Sequence, residues 1–486
     1  MAGPVPASGD GHEAATGGPF GIKGLAWGVF EWARNPYYNI IVIYVFTVYF
    51  ARVVVGDPVE GQAVVADTIF IAGITMAILA PLLGVIVDRG GGKKMFIALT
   101  LILLGICSFF LGFVRPGLPA AVPIGMALLV IGYCSYTLSE ILNNSLLPAA
   151  GSSKALPMIS GLGLFMGNIA GVAMLVGLLV VGEAKVPWIE NLGGIGPVSG
   201  FIVAVWLAVF IIPFFLFMPD HYGSSGSWNT AIKDVFGTKP NEDGVVPPLT
   251  TRLTTPARFV RDKFKEYPNV MRFLLARMIY ADGIAVLLTI GAVYVSGVLE
   301  WTGTEVIVFG IFGSLFGALG GFVGGTLDRW LGPKLALITE LCAICLILTI
   351  QVSVTKDSLF FGLVPAGHDI WTGFGTGMFT SLADVFYFLM IIPAGIMLVA
   401  CISSSRYMLV HVAPPEKIGE FFGFYAMAGN ITVWIGPAVV GIMTRAFDSQ
   451  RIGMVSIGLL FFVGLAVLLS VRADKTPEHL KENPRY

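Results

Sequence analysis

Charge is scarce in this 486-residue chain. Asp, Glu, Lys and Arg make up only 12% of it, roughly half of what a soluble chain carries. The 29 Lys and Arg balance the 30 Asp and Glu to a net charge of −1, so no basic surplus exists to hold nucleic acid. Cysteine is short too: Cys107, Cys134, Cys342, Cys345 and Cys401 all fall inside apolar runs, which argues against a disulfide framework. Cys342 and Cys345 have redox spacing but no histidine beside them, and helix packing accounts for the pair. Metal-ligand clusters, nucleophile–base pairs and phosphate loops are missing from the sequence, so neither enzyme chemistry nor a cofactor is expected. The first twenty residues lack a basic start followed by an apolar core, so residues 1–23 are expected to be a disordered cytoplasmic tail.

Apolar residues fill the gap. They make up 56% of the chain, whose mean hydropathy is +0.84. A bilayer core takes about twenty apolar residues, and on that ruler twelve spans are predicted. The first six run over about 31–55, 66–87, 95–114, 120–147, 157–182 and 198–218. The second six run over about 271–298, 305–327, 335–354, 385–411, 420–443 and 452–473. All must be helices, because lipid offers no partner for open backbone groups. The 61 glycines suit helices that approach closely in lipid.

The second half repeats the first. Gly84, Asp88, Arg89, Gly92 and Lys94 recur, 240 residues on, as Gly324, Asp328, Arg329, Gly332 and Lys334. Ala33, Arg34 and Tyr37 recur as Ala276, Arg277 and Tyr280, with Asn39 replaced by Asp282. Gly167-Asn168-Ile169 is echoed by Gly429-Asn430-Ile431. An all-α integral membrane fold follows, with twelve transmembrane helices in two parallel-repeat six-helix bundles around a central seam. The bundles are expected over 24–218 and 270–474, joined by a cytoplasmic linker over 219–269, with a tail at 475–486. The linker segment from Pro256 to Tyr267 sets Phe259, Val260 and Phe264 among Arg258, Arg261, Lys263 and Lys265, the pattern of a basic helix on the inner leaflet. The outer segment 355–384, rich in Gly and aromatics, is expected to cover the outer vestibule.

Orientation follows from Lys and Arg. With a cytoplasmic N-terminus, 22 lie inside and six outside, so both termini should face the cytoplasm.

A charge within a span costs at least ~2.5 kcal/mol on insertion scales, so each needs a partner, a wet cavity or a job. Asp282 lies about eight residues into span seven with no cation one turn away. It is either a proton or Na+ coupling site or half of an ion pair that locks the bundle. Glu31, Arg34 and Asn35 occupy adjoining turns of span one before a kink expected at Pro36. They, and Arg277, either line the inner mouth of a cavity or snorkel to water. In span four Glu140, Asn143 and Asn144 form one wet turn, which Tyr136 and Ser139 extend. That turn either binds solute or hydrogen-bonds to neighbouring helices. Tyr280, Asn168, Asn430, Thr432 and Trp434 add polar and aromatic groups to the seam. Ser403, Ser404, Ser405 and Arg406 mark an inner gate or helix end. Asp88, Arg89, Lys94, Asp328, Arg329 and Lys334 read as gate hardware, each Asp able to meet a facing helix N-terminus.

The loop pattern Gly-x-x-x-Asp-Arg-x-x-Gly-x-Lys resembles the cytoplasmic motif of the major facilitator superfamily. Glu31-Trp-Ala-Arg-Asn35, Leu275 to Gly283, Glu420-Phe-Phe-Gly-Phe-Tyr-Ala426 and Gln450-Arg-Ile-Gly453 resemble its vacuole-effluxer-like branch. The resemblance implies a major facilitator fold, alternating access and amino acids as the substrate class. Two departures stand out: span four has no buried Arg, and the span-five glycine run from Gly161 to Gly167 has no Pro. Both weaken proton-driven export. The residues themselves point to a small neutral or zwitterionic solute, since few cations line the spans. Sugar or other metabolite transport, a non-transporting sensor and a lipid flippase stay open on the same fold. The other partners expected are the lipid bilayer and a coupling proton or Na+; the chain is expected to be a monomer in a bacterial inner membrane.

Overall fold

The computed structural model describes residues 21–90, 93–152, 155–184, 186–219, 261–367, 377–414 and 417–472. For residues 81–90 and a few others within helices only the backbone is described. Apolar runs of twenty or more residues can only close their hydrogen bonds as helices in lipid, and they do. The crossing helices of the first half are α1 (Ile22–Val55), α2 (Pro58–Gly90), α3 (Lys93–Leu111), α4 (Ala121–Asn144), α5 (Leu156–Glu183) and α6 (Ile195–Phe217). In the second half come α7 (Pro268–Val298), α8 (Gly303–Leu331), α9 (Pro333–Val352), α10 (Leu382–Val412), α11 (Ile418–Ile431), α12 (Ile435–Ala446) and α13 (Gln450–Leu469). The eleventh crossing is broken into α11 and α12 at Thr432–Trp434, where Pro437 has no N–H for the Val433 carbonyl four residues back.

Span one starts at Ile22 rather than at 31, which corrects the expected boundary. Glu31, Arg34 and Asn35 are therefore a full two turns inside the helix instead of at its mouth. Pro36 has no N–H to give, and just beyond it the helix widens into a π-helical stretch over Tyr37–Tyr44. There the Val45 N–H reaches back five residues to the Ile40 carbonyl (3.0 Å). The expected kink is thus a local unwinding.

Packing follows the repeat. In the first half α1 lies on α5, α2 on α4 and α3 on α6; in the second, α7 lies on α11, α8 on α10 and α9 on α13. Across the seam α2 meets α7, α11 and α12, while α8 meets α5. Small residues make the closest approach. Gly317, Gly320 and Gly324 share the buried face of α8, and a Cβ at Gly324 would sit 3.0 Å from the Ala400 Cα and carbonyl oxygen of α10. Helices in lipid gain contact in this way, since burying apolar surface there gains nothing.

Of the outer segment, residues 368–376 lie outside the described residues. Ser358–Leu359 and Val364–Pro365 pair as a short antiparallel hairpin, and Phe379 packs edge-on against Trp301 (5.0 Å between rings). In the linker, Arg258, Phe259 and Val260 lie outside the described residues; the helix over 261–266 is described, and Phe264 packs on the core.

Candidate functional site

Each half brings an arginine from its first helix over a tyrosine ring. In the first half Arg34 is buried, with its guanidinium 4.0 Å from the Tyr136 ring centre. It donates to the Tyr136 carbonyl (3.1 Å), to Glu31 (2.7 Å) and to Glu140 (3.4 Å). The Tyr136 hydroxyl in turn donates to Asn35 Oδ1 (3.1 Å), and the rings of Tyr37 and Tyr38 stack on Tyr136. A fork-shaped cation suits this place, because it can serve two carboxylates, a carbonyl and a ring face together. The arginine missing from span four is supplied to it by span one. Glu31 is almost sealed in, whereas 45% of the Glu140 side chain stays open.

In the second half Arg277 lies 3.4 Å above the Tyr425 ring and donates to the Tyr425 carbonyl (2.7 Å). Its guanidinium presses on Gly429, as Asn35 presses on Gly167 in the first half. The echoed Gly-Asn pairs thus give each first helix a smooth surface to lie on. Asp282, 2% exposed, accepts from the Thr432 hydroxyl (3.1 Å) at the break between α11 and α12. Tyr280 bonds Ser405 (2.7 Å). Trp434 meets the edge of Phe70 (5.9 Å), and a Cβ on Gly73 of α2 would stand 3.0 Å from the Trp434 Cβ.

The other expected residues divide by place. Asn143 is buried with both amide atoms unpartnered; Asn144 and Asn168 are exposed. The side chains of Asp88, Arg89 and Asn430 lie outside the described residues. Lys94 and Lys334 do the same job 240 residues apart. Lys94 caps the end of α6 through the carbonyls of Phe215 and Met218 (2.8 and 2.6 Å), and Lys334 caps the end of α13 through that of Leu469 (3.1 Å). Cations at helix C-termini are favoured by the dipole. Arg329 points to solvent, while Asp328 is buried with its Oδ1 unpartnered.

Two features were not found from sequence. On the face opposite the lysine caps, Arg445 of α12 grips Glu60 twice (3.1 and 3.2 Å) and Asp67 once (2.5 Å) on α2. Beside it Gln62 donates to Thr444 (2.9 Å) and to the Gln450 carbonyl (3.1 Å). This latch closes the seam on that face. The second feature is Glu340, fully buried in α9, which accepts from Ser404 of α10 (2.9 Å). Neither the Arg445 grip nor Glu340 recurs in the first half at the repeat offset.

On the lysine-cap side the linker is tied to α11. Lys263 reaches Glu420 (2.7 Å), and Lys417 reaches Glu266 (3.2 Å) while lying over the Tyr267 ring (4.8 Å). The Tyr267 hydrogen bond, then Lys417, holds the Glu266 carboxyl below the usual range.

Two helical bundles of like packing, an ionic latch across one end of their seam and an Arg–Tyr site within each bundle are the frame of a membrane transporter of the major facilitator type. Residues 53–480 match the model of the family described as "Vacuole effluxer Atg22 like", and the chain belongs to that family. It is 22% identical over 467 residues to an uncharacterized MFS-type transporter, YxiO, of Bacillus subtilis (strain 168), covering 93% of this chain and 95% of that protein. Among solved structures it resembles a nucleoside transporter, NupG, with TM-score 0.58, 13% identity and 93% and 100% of the two chains covered. It also resembles a D-xylose–proton symporter, with TM-score 0.60, 11% identity and 94% and 98% covered. At such identity these two likenesses show the fold alone. Family and fold are those of transporters, not enzymes.

Proposed function

We propose that the chain is a secondary transporter that moves one small neutral or zwitterionic solute, an amino acid foremost, across a bacterial inner membrane by alternating access. The lysine-capped face is cytoplasmic in this reading, both termini lie on that side, and efflux is the direction. The monomer is the working unit.

One observation carries the substrate class: opposite charges are left partly open on the two halves. Arg277 spends one nitrogen on Tyr425 and is only half-buried, and Glu140 spends one oxygen on Arg34 and is 45% open. A solute carboxylate on Arg277 and a solute ammonium on Glu140 would close both sites with charge-assisted hydrogen bonds. Counted as formal charges, Glu31, Arg34 and Glu140 sum to one negative charge and Arg277 with Asp282 to none. A multiply charged anion finds too few cations here. Asn35, Asn143, Asn144, Asn168, Tyr280 and Trp434 complete the wall, and Asp282 serves the coupling ion. Asp88, Arg89, Asp328 and Arg329 work the gate, with Lys94 and Lys334 anchoring the helix ends behind it.

A thermal-shift screen tests this. Leucine-like amino acids at a hundredfold their Kd should stabilise the purified protein by about 2.7 kcal/mol, and Arg277→Gln should abolish the shift. Stabilisation by a multiply charged anion alone, or by sugars alone, would discard the amino-acid reading.

A further inference from the structure

Asp328 ends α8, Glu340 lies two turns into α9, and Ser404 sits on α10 facing both. Glu340 is completely buried and Asp328 is 9% exposed. Ser404 donates its one proton to Glu340 Oε1 at 2.9 Å, and its oxygen also faces Asp328. Glu340 Oε2 and Asp328 Oδ1 are both sealed from solvent with no hydrogen-bond partner. A hydroxyl has one hydrogen to give, so while Ser404 donates to Glu340 it leaves Asp328 Oδ1 without a partner. Ser404 binds Glu340 and packs on Gly324, one turn before Asp328, so two buried carboxylates flank one hydroxyl and cannot both stay ionised there. One of them must bring its own proton.

Among the described residues the Lys and Arg of the surrounding elements are turned elsewhere. On α8, Arg329 points to solvent; on α9, Lys334 is spent on the Leu469 carbonyl; on α10, Arg406 is exposed. On α7, Arg277 is held by Tyr425, and Tyr280 by Ser405. From Leu156 to Val181, α5 carries no charged residue. The thiol of Cys401, three residues before Ser404, is buried, and so is His411, two turns beyond Ser404 on α10. The close approach depends on Gly324, whose Cβ would stand 3.2 Å from Ser404 Oγ.

We propose that Asp328 and Glu340 bind one proton between them beside Ser404, forming an ion site in the second bundle apart from the seam. Binding forms one O–H bond and takes the pair from two negative charges to one. Exchange with solvent runs through Asp328, the member that reaches the lysine-capped face. The adjacent Ser405 holds Tyr280 of α7, which links the pair to the helix that carries Arg277 and Asp282. Use of this proton as a coupling ion rests on the transport reading; its presence does not.

Infrared spectroscopy of the purified full chain, with no solute added, tests the site. Glu340→Gln and Asp328→Asn should each remove a protonated-carboxyl band that moves in D2O and survives Asp282→Asn. Ser404→Ala, which leaves both carboxyls, should shift that band without removing it and decides the matter if the other variants misfold. A band unchanged in all three variants overturns the proposal. So does a band that disappears when sodium chloride replaces choline chloride, since the occupant would then be Na+. Failure of amino-acid binding with the band intact refutes the solute and spares the proton site.

Discussion

Arg445 joins the two halves only when the face opposite the lysine caps is closed, so its removal should change an equilibrium rather than a binding site. The three groups are half-exposed, at 40% for Arg445, 50% for Glu60 and 33% for Asp67. Exposed pairs give about 0.2–1 kcal/mol each. With two carboxylates, one of them held in a fork, the total comes to about 1.4 kcal/mol, or roughly tenfold in the open-to-closed ratio. Gln62 with Thr444 and Gly73 against Trp434 should keep the closed form present. The assay is the distance distribution between spin labels on Leu118→Cys and Ala446→Cys, one exposed position on each half. Arg445→Gln should raise the open-to-closed ratio about tenfold at low salt, and added salt should narrow the gap by screening the native latch. A ratio within twofold of the parent at low salt refutes the latch.

Three further outcomes follow from the geometry. Arg34→Met leaves Glu31 buried without its partner and should cost about 3 kcal/mol of stability; a Tm unchanged from the parent would deny the pairing. Gly61→Ala puts a methyl 2.5 Å from the Ala51 carbonyl oxygen, an overpacked contact worth about 1–3 kcal/mol, which thermal unfolding will read as a clear drop. Glu266 is held below the ordinary carboxylate range, so its contribution to the linker tether is full above that range, about pH 4.3, and fades as pH falls through the lowered value. A spin label at position 261 should therefore stay immobile through pH 5, and mobility gained between pH 7 and 5 would contradict the sign.

Much of the architecture was legible because lipid makes the rules few. Uniform apolar runs gave the spans, and the offset of 240 residues gave the halves and the shared work of Lys94 and Lys334. The start of span one was misplaced because Trp27, Phe30 and Glu31 form a mixed stretch that averages out on a hydropathy ruler. The Arg34–Tyr136 stack joins residues 102 apart, and nothing local in either segment signals it. Asp282 stood out as a lone carboxylate, yet its Thr432 partner depends on a helix break that Pro437 sets four residues beyond Val433 in an otherwise apolar run. Glu340 went unnoticed because its repeat position holds Thr100, so the duplication that exposed the other sites concealed this one. Charge partners across helices are set by packing, and packing is what the linear pattern leaves out.

The central claim is that the seam holds a zwitterion between Arg277 and Glu140 and carries it across. Counterflow in proteoliposomes loaded with unlabelled leucine, with labelled leucine outside, measures it. The native chain should accumulate label transiently, while Arg277→Gln and Glu140→Gln should each remove that overshoot with the protein still folded. Overshoot of equal size in both variants, or none in the native chain, would contradict the account.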